Sequence, residues 1–219
     1  MQIAILLYDK FTALDAIGPY EVLSRLPGTT VVFVAREAGP VVTDTGMLTL
    51  VAAAELSQVP HPDILVVPGG PGRATSPLMA DGRMHDWLWT VDENTSWTTS
   101  VCTGSLILAS AGLLAGRLAT SHWLALDQLS DLGAEPVSKR VVMDGKYITA
   151  AGVSAGIDMA LELAGRIAGR DTAEAIQLMI EYNPRPPYSA GSPETAPPDL
   201  VARLRQGSRP ASSAVSAAS

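Results

Sequence analysis

The sequence has one cysteine in 219 residues, so no internal disulfide can form and the chain must hold together by its core alone. That usage fits a reducing compartment, and a cytoplasmic location is expected. Basic residues are also scarce, 15 Lys and Arg against 22 Asp and Glu. No cluster of them breaks the acidic balance, so neither a nucleic-acid nor a membrane partner is expected. Long apolar runs are missing too. The longest, Leu106 to Gly116, is interrupted by Ser110 and falls short of the roughly 20 residues that cross a bilayer. The opening MQIAILLYDK has no basic flank and no extended apolar stretch, so no signal peptide is expected. No G-x-G-x-x-G follows the first apolar run, which argues against a dinucleotide site. The three histidines, His61, His85 and His122, are not paired at metal-ligand spacing, so no metal and no cofactor is expected.

What remains is a compact globular composition, 47% hydrophobic and 17% charged, long enough for one α/β domain that buries roughly 70% of its unfolded surface. QIAILLY reads as a buried strand and LDAIGPYEVLSRL as the helix of a first β-α unit. TVVFVA, DILVVPGG and SWTTSV read as further strands of a mostly parallel sheet. TDTGMLTLVA reads as an added strand or hairpin, and RVVMDGKYITAAG as a hairpin of edge strands about its Asp-Gly turn. Helices are predicted over 105–111, 123–132, 154–168 and 172–182, the third presenting Ile157, Leu161 and Ala164 on one face. Extended chain follows over 183–198, then a short helix in PDLVARLRQG. The expected organisation is one domain over 1–207 and a disordered tail over 208–219.

TTSVCTGSLILAS places Cys102 at a strand-to-helix junction, the edge of an α/β sheet where ligands bind. The N–H groups of Thr103 and Gly104 and the helix dipole would favour its thiolate. GVSAG, 152–156, matches a hydrolase elbow, but that triad runs Ser, acid, His, and all three histidines here precede Ser154. Ser154 is better read as an N-cap whose hydroxyl accepts a backbone N–H. VVPGGPG ends another strand in a turn where the N–H groups of Gly69 and Gly70 could form an oxyanion hole. Asp15, just after the first strand, reads either as a carboxylate at the sheet's carboxyl edge or as an N-cap. His122 either faces the cysteine or sits at the surface as a cap.

Taken together, LDAIGPYEVL, VVPGGPG, TSVCTGSLILASAGLLAGRLATSHW, ITAAGVSAGIDMALELA and QLMIEYNPRPPYSAGSPETAP resemble the ThiJ/PfpI superfamily, and within it the isonitrile hydratases. The resemblance implies a flavodoxin-like three-layer α/β sandwich, a homodimer, and a catalytic cysteine at a strained elbow, where Cys102 stands. It implies Asp15 as the partner carboxylate, where many superfamily members carry glutamate. Peptidase-like members have histidine directly after the cysteine; Thr103 stands there, which argues against proteolysis. The fold also serves AraC-type regulators, yet the chain after Tyr182 has no room for paired helix-turn-helix units. A ligand-binding or redox-sensing relative without hydratase activity is the alternative.

The activity so implied is hydration of an isocyanide. Cys102 attacks the isonitrile carbon, Asp15 relays the thiol proton to that carbon, and water then hydrolyses the thioimidate to an N-substituted formamide. In this reading Cys102, Asp15 and Thr103 are catalytic, while Gly69, Gly70, His122 and Tyr182 bind substrate, charge or water.

Overall fold

The computed structural model describes residues 1–208 and divides into two compact units, Met1–Tyr182 and the described residues from Asn183 onward. The first unit carries the sheet. Its strands and helices run β1 (Gln2–Leu6), α1 (Ala13–Leu23), β2 (Thr30–Ala35), β3 (Gly39–Val42), β4 (Thr49–Ala52), β5 (Ala54–Glu55), β6 (Ile64–Val67), α2 (Gly72–Met79), α3 (Gly82–Asn94), β7 (Trp97–Val101) and α4 (Gly104–Ser110). Then come β8 (Leu118–Ala119), α5 (Gln128–Asp131), β9 (Glu135–Pro136), β10 (Val141–Asp144), β11 (Tyr147–Ala150), α6 (Ala155–Ala168) and α7 (Arg170–Met179). In the second unit 183–197 contains no helix or strand, and α8 (Pro198–Ser208) follows.

Seven strands pair in the order β10-β11-β7-β6-β1-β2-β5, all parallel except β10. This is the mostly parallel, flavodoxin-like sheet expected. Ile3 to Leu6 and Ile64 to Val67 are buried on both faces, as central parallel strands require, which is why these runs are continuously apolar. From β1 the chain leaves first to β2 and returns to β6 on the other side, so a crevice opens beyond the carboxyl ends of β1, β6 and β7. The site lies at that edge.

Several sequence expectations need correction. The RVVMDGKYITAAG hairpin forms, but only β10 is an edge strand; β11 lies between β10 and β7. Residues 123–127 are turns, and α5 spans only Gln128–Asp131, because the backbone here closes through three-residue bonds, Ala125 N–H to the His122 carbonyl and Gln128 N–H to that of Ala125. On α6 the buried stripe is Met159, Ala160, Leu163 and Ala164, while Ile157 and Leu161 are half-buried at its flank, with Ile157 set against Gly18 of α1. Helices α2 and α3 were not anticipated. The hairpin expected in TDTGMLTLVA begins earlier, β3 pairing with β4 around the TDTG turn. Of the tail expected at 208–219, Ser208 closes α8 and the rest lies outside the described residues.

Candidate active site

Cys102 occupies the turn between β7 and α4 at φ 58°, left-handed backbone that costs a non-glycine residue about 1–3 kcal/mol. Four hydrogen bonds hold it there. Its N–H donates to the carbonyls of Ala150 and Ala151, both at 3.0 Å. Its own carbonyl accepts from the hydroxyls of Ser105 and Ser121, both at 3.1 Å. Directly after it, α4 starts in contact with the end of β6: a Cβ on Gly104 would lie 2.1 Å from the Val67 carbonyl oxygen, so only glycine fits.

Asp15 is the third residue of α1 and fully buried. It is not an N-cap. Its Oδ2 accepts the Gly69 N–H at 2.9 Å, while Oδ1 has no fixed partner on a carboxyl that faces the Cys102 thiol. Burial lifts Asp15 to about 7, against the pull of the Gly69 N–H and the thiol. Burial, and then the charge of Asp15, lift Cys102 to about 12, against the N–H groups of Thr103 and Val153 and the Thr103 hydroxyl. Burial and the neighbouring carboxylate thus oppose the thiolate that these donors and the short helix α4 favour. Thiol and carboxyl lie close enough that the titration of each depends on the other.

Gly69 and Gly70 lie at this pair, but their N–H groups are not free for an oxyanion. Gly69 gives its N–H to Asp15, and Gly70 gives its own to Thr103 Oγ1 at 2.9 Å, with the Thr103 hydroxyl donating back to the Gly70 carbonyl at 2.7 Å. Thr103 thus clamps the glycine turn to the elbow. A side chain on Gly69 would meet Thr103 N at 2.6 Å and Cys102 Cβ at 2.8 Å.

The structure brings in residues that sequence reasoning missed. Tyr8, at the end of β1, is buried, and its hydroxyl donates to the Pro68 carbonyl at 3.0 Å; burial and the nearby Asp15 and Cys102 push it well above the ordinary tyrosine range. Its place past a strand end was the available signal. Asp44, on the β3–β4 loop, accepts from the Thr12 hydroxyl at 2.9 Å just ahead of Asp15. Val153 supplies an N–H to the sulfur from a second left-handed turn, φ 38°. Nothing in its residue type announces that role.

GVSAG is the loop that carries Val153, and its glycines serve packing. Gly152 lies under the His122 ring, where a Cβ would approach Cδ2 to 2.7 Å, and Gly156 touches Val101 and Pro19. Ser154 stands at the N-cap position of α6 as expected, but its hydroxyl takes no backbone N–H and accepts instead from Arg140 Nη2 at 3.3 Å. His122 is half-buried against Gly152, and desolvation lowers its pKa, favouring the neutral ring. Tyr182 engages Arg140 and Asp158 through its hydroxyl. Among the described residues no group of His, Cys, Asp and Glu could hold a metal ion.

Comparison with known proteins agrees with this architecture. The family model of the DJ-1/PfpI family matches residues 1–166. The chain is 44% identical over 210 residues to the isonitrile hydratase of Pseudomonas putida, covering 96% of this chain and 91% of that one. A solved ThiJ/PfpI family protein from Pseudomonas syringae superposes with a TM-score of 0.88 at 38% identity, over 94% of this chain and 88% of the other. The HTH-type transcriptional regulator CdhR of Pseudomonas aeruginosa is 35% identical, but over only 57% of this chain and 37% of its own length.

Proposed function

The chain belongs to the DJ-1/PfpI family, and from that premise we infer that it is an isonitrile hydratase, converting R–N≡C and water to R–NH–CHO. The observation that carries the reading is the buried pair of Cys102 and Asp15, one thiol and one carboxyl facing each other at a sheet edge. It is joined to 44% identity with a curated hydratase across almost the whole chain.

The pair matches what the reaction needs. The isonitrile carbon must receive a nucleophile and a proton, and the resting thiol holds both. As sulfur bonds to carbon, Asp15 accepts the thiol proton and passes it to the same carbon, giving the thioimidate R–N=CH–S–Cys102. Water then adds to that carbon while Asp15 takes a water proton and returns it to nitrogen. Collapse of the tetrahedral adduct breaks the C–S bond, and the hydroxyl proton returns through Asp15 to sulfur. With Asp15 near 7, acceptance and donation are both accessible at neutral pH. The N–H groups of Thr103 and Val153 support the sulfur while it is negative. In this reading Gly69 and Gly70 hold Asp15 and Thr103 in register, His122 packs on Gly152 beside Val153, and Tyr182 holds Arg140 and Asp158.

A homodimer is the assembly we propose, supported by exposed apolar side chains: Met47, Leu48 and Val51 on the β3–β4 hairpin and Leu14 and Tyr20 on α1. No described helix is long and apolar enough to cross a membrane. A cytoplasmic location fits the single unpaired cysteine.

Incubating the purified protein with an alkyl isonitrile and following the N-alkylformamide tests the function. Formamide formed in step with isonitrile loss supports it. Isonitrile bound without turnover would overturn it in favour of a ligand-binding relative.

A further inference from the structure

Two left-handed turns face each other at the sheet edge, one at Cys102 (φ 58°) and one at Val153 (φ 38°). The first has its restraints in the four hydrogen bonds already described. The second is the stranger one, because a β-branched side chain is poorly tolerated at positive φ and the turn is released unless its surroundings over-determine it. Arg140, the residue before β10, touches both ends of that turn. Its carbonyl accepts the Ala151 N–H at 2.9 Å. Its guanidinium donates through Nη2 to Ser154 Oγ at 3.3 Å and through Nε to the Asp158 carboxylate in the first turn of α6. The Tyr182 hydroxyl joins the guanidinium and Asp158. Ser154 therefore leaves its helix N-terminus uncapped and turns its hydroxyl to the arginine.

We propose that Arg140 is a positioning residue for the nucleophile: by gripping the chain on either side of Val153 it keeps that strained N–H aimed at the Cys102 sulfur. It touches no reacting atom and acts through Val153. The proposal rests on the reading of Cys102 as the nucleophile. It explains why the GVSAG loop carries a β-branched residue in a glycine-like conformation while its own glycines are spent on packing.

The test is a double-mutant cycle with Arg140→Met and Val153→Gly. Cys102 is the only cysteine, so iodoacetamide alkylation of the folded protein at pH 8.5 reports on that sulfur alone. Arg140→Met should slow alkylation about tenfold, the order of one hydrogen bond to a charged atom, and lower kcat for formamide production alike, with KM nearly unchanged. In the Val153→Gly background, where glycine adopts positive φ without strain, the same substitution should cost less than about threefold. A loss below about threefold in the Val153 background overturns the proposal, as does an equal loss in both backgrounds, the mark of a merely structural ion pair. If Arg140→Met does not fold, Ser154→Ala, which removes one leg of the grip, replaces it in the same cycle under the same criteria. Should the wild type make no formamide, the hydratase reading falls while the alkylation series still decides Arg140.

Discussion

Replacing Asp15 by Asn should damage activity and, above neutral pH, improve stability. The amide keeps the carboxyl's shape and can still accept the Gly69 N–H, but it can neither take the thiol proton nor deliver one to carbon. Positioned acid–base groups contribute about 10²- to 10⁴-fold, so turnover should fall at least about 10²-fold. Wild-type activity should fall roughly tenfold per pH unit below 7, as Asp15 protonates, and the variant should lose that limb. The stability effect follows from the same displacement, from 3.8 to about 7. Between these values the unfolded chain ionises while the folded one retains its proton, so this carboxyl costs the native state more as pH rises, reaching roughly 4 kcal/mol above 7. Asn is free of that cost but buries an amide with an unmet donor, worth about 1–3 kcal/mol. Urea unfolding should therefore find Asp15→Asn less stable than wild type near pH 4 and more stable by about 1–3 kcal/mol at pH 8. A stability difference independent of pH, or turnover within about threefold of wild type, would refute the assignment.

Cys102→Ala should abolish formamide production with little change in Tm, since alanine and cysteine meet the left-handed turn at similar cost and only the nucleophile is lost. Gly104→Ala should destabilise by at least about 3 kcal/mol in denaturant titration, or prevent folding, because the new methyl meets the Val67 carbonyl oxygen at 2.1 Å and that oxygen belongs to the sheet. Tyr147→Phe removes a hydroxyl that donates to the buried Asp92 Oδ2 at 2.8 Å. It should cost about 1–2 kcal/mol in unfolding yet leave turnover intact, the tyrosine lying at the amino end of β11.

The strands and the place of the cysteine were legible because they depend on short-range pattern. Fully buried runs such as ILVV and IAIL have few other uses, and a cysteine between a strand and a small-residue helix has one natural location. Asp15 was legible as a carboxylate at the edge, but that it turns away from capping is seen only from a partner 54 residues away, the Gly69 N–H. Burial was the larger gap. The helix dipole after Cys102 can be read from sequence, whereas the desolvation that opposes it depends on what encloses the sulfur. Ser154 illustrates the same limit, since local chemistry favours a cap and the tertiary arginine takes the hydroxyl instead. Val153 and Tyr8 contribute through backbone geometry and position, for which residue identity is a poor guide.

The sheet order also bears on how the chain is made. The first strand to leave the ribosome is an interior one, and β2 can dock beside it almost at once, whereas β6 must wait for some sixty residues and the turn after β11 for about a hundred and fifty. The Cys102 N–H finds its acceptors only when Ala150 and Ala151 have emerged. Between the addition of Cys102 and that of Ala151, about fifty residues later, the sulfur therefore belongs to an unfinished chain, open to any electrophile. Its enclosure is among the last events of the sheet's assembly, so reactivity and folding mature together, and a nascent chain stalled before residue 150 exposes a thiol that the finished protein keeps dry.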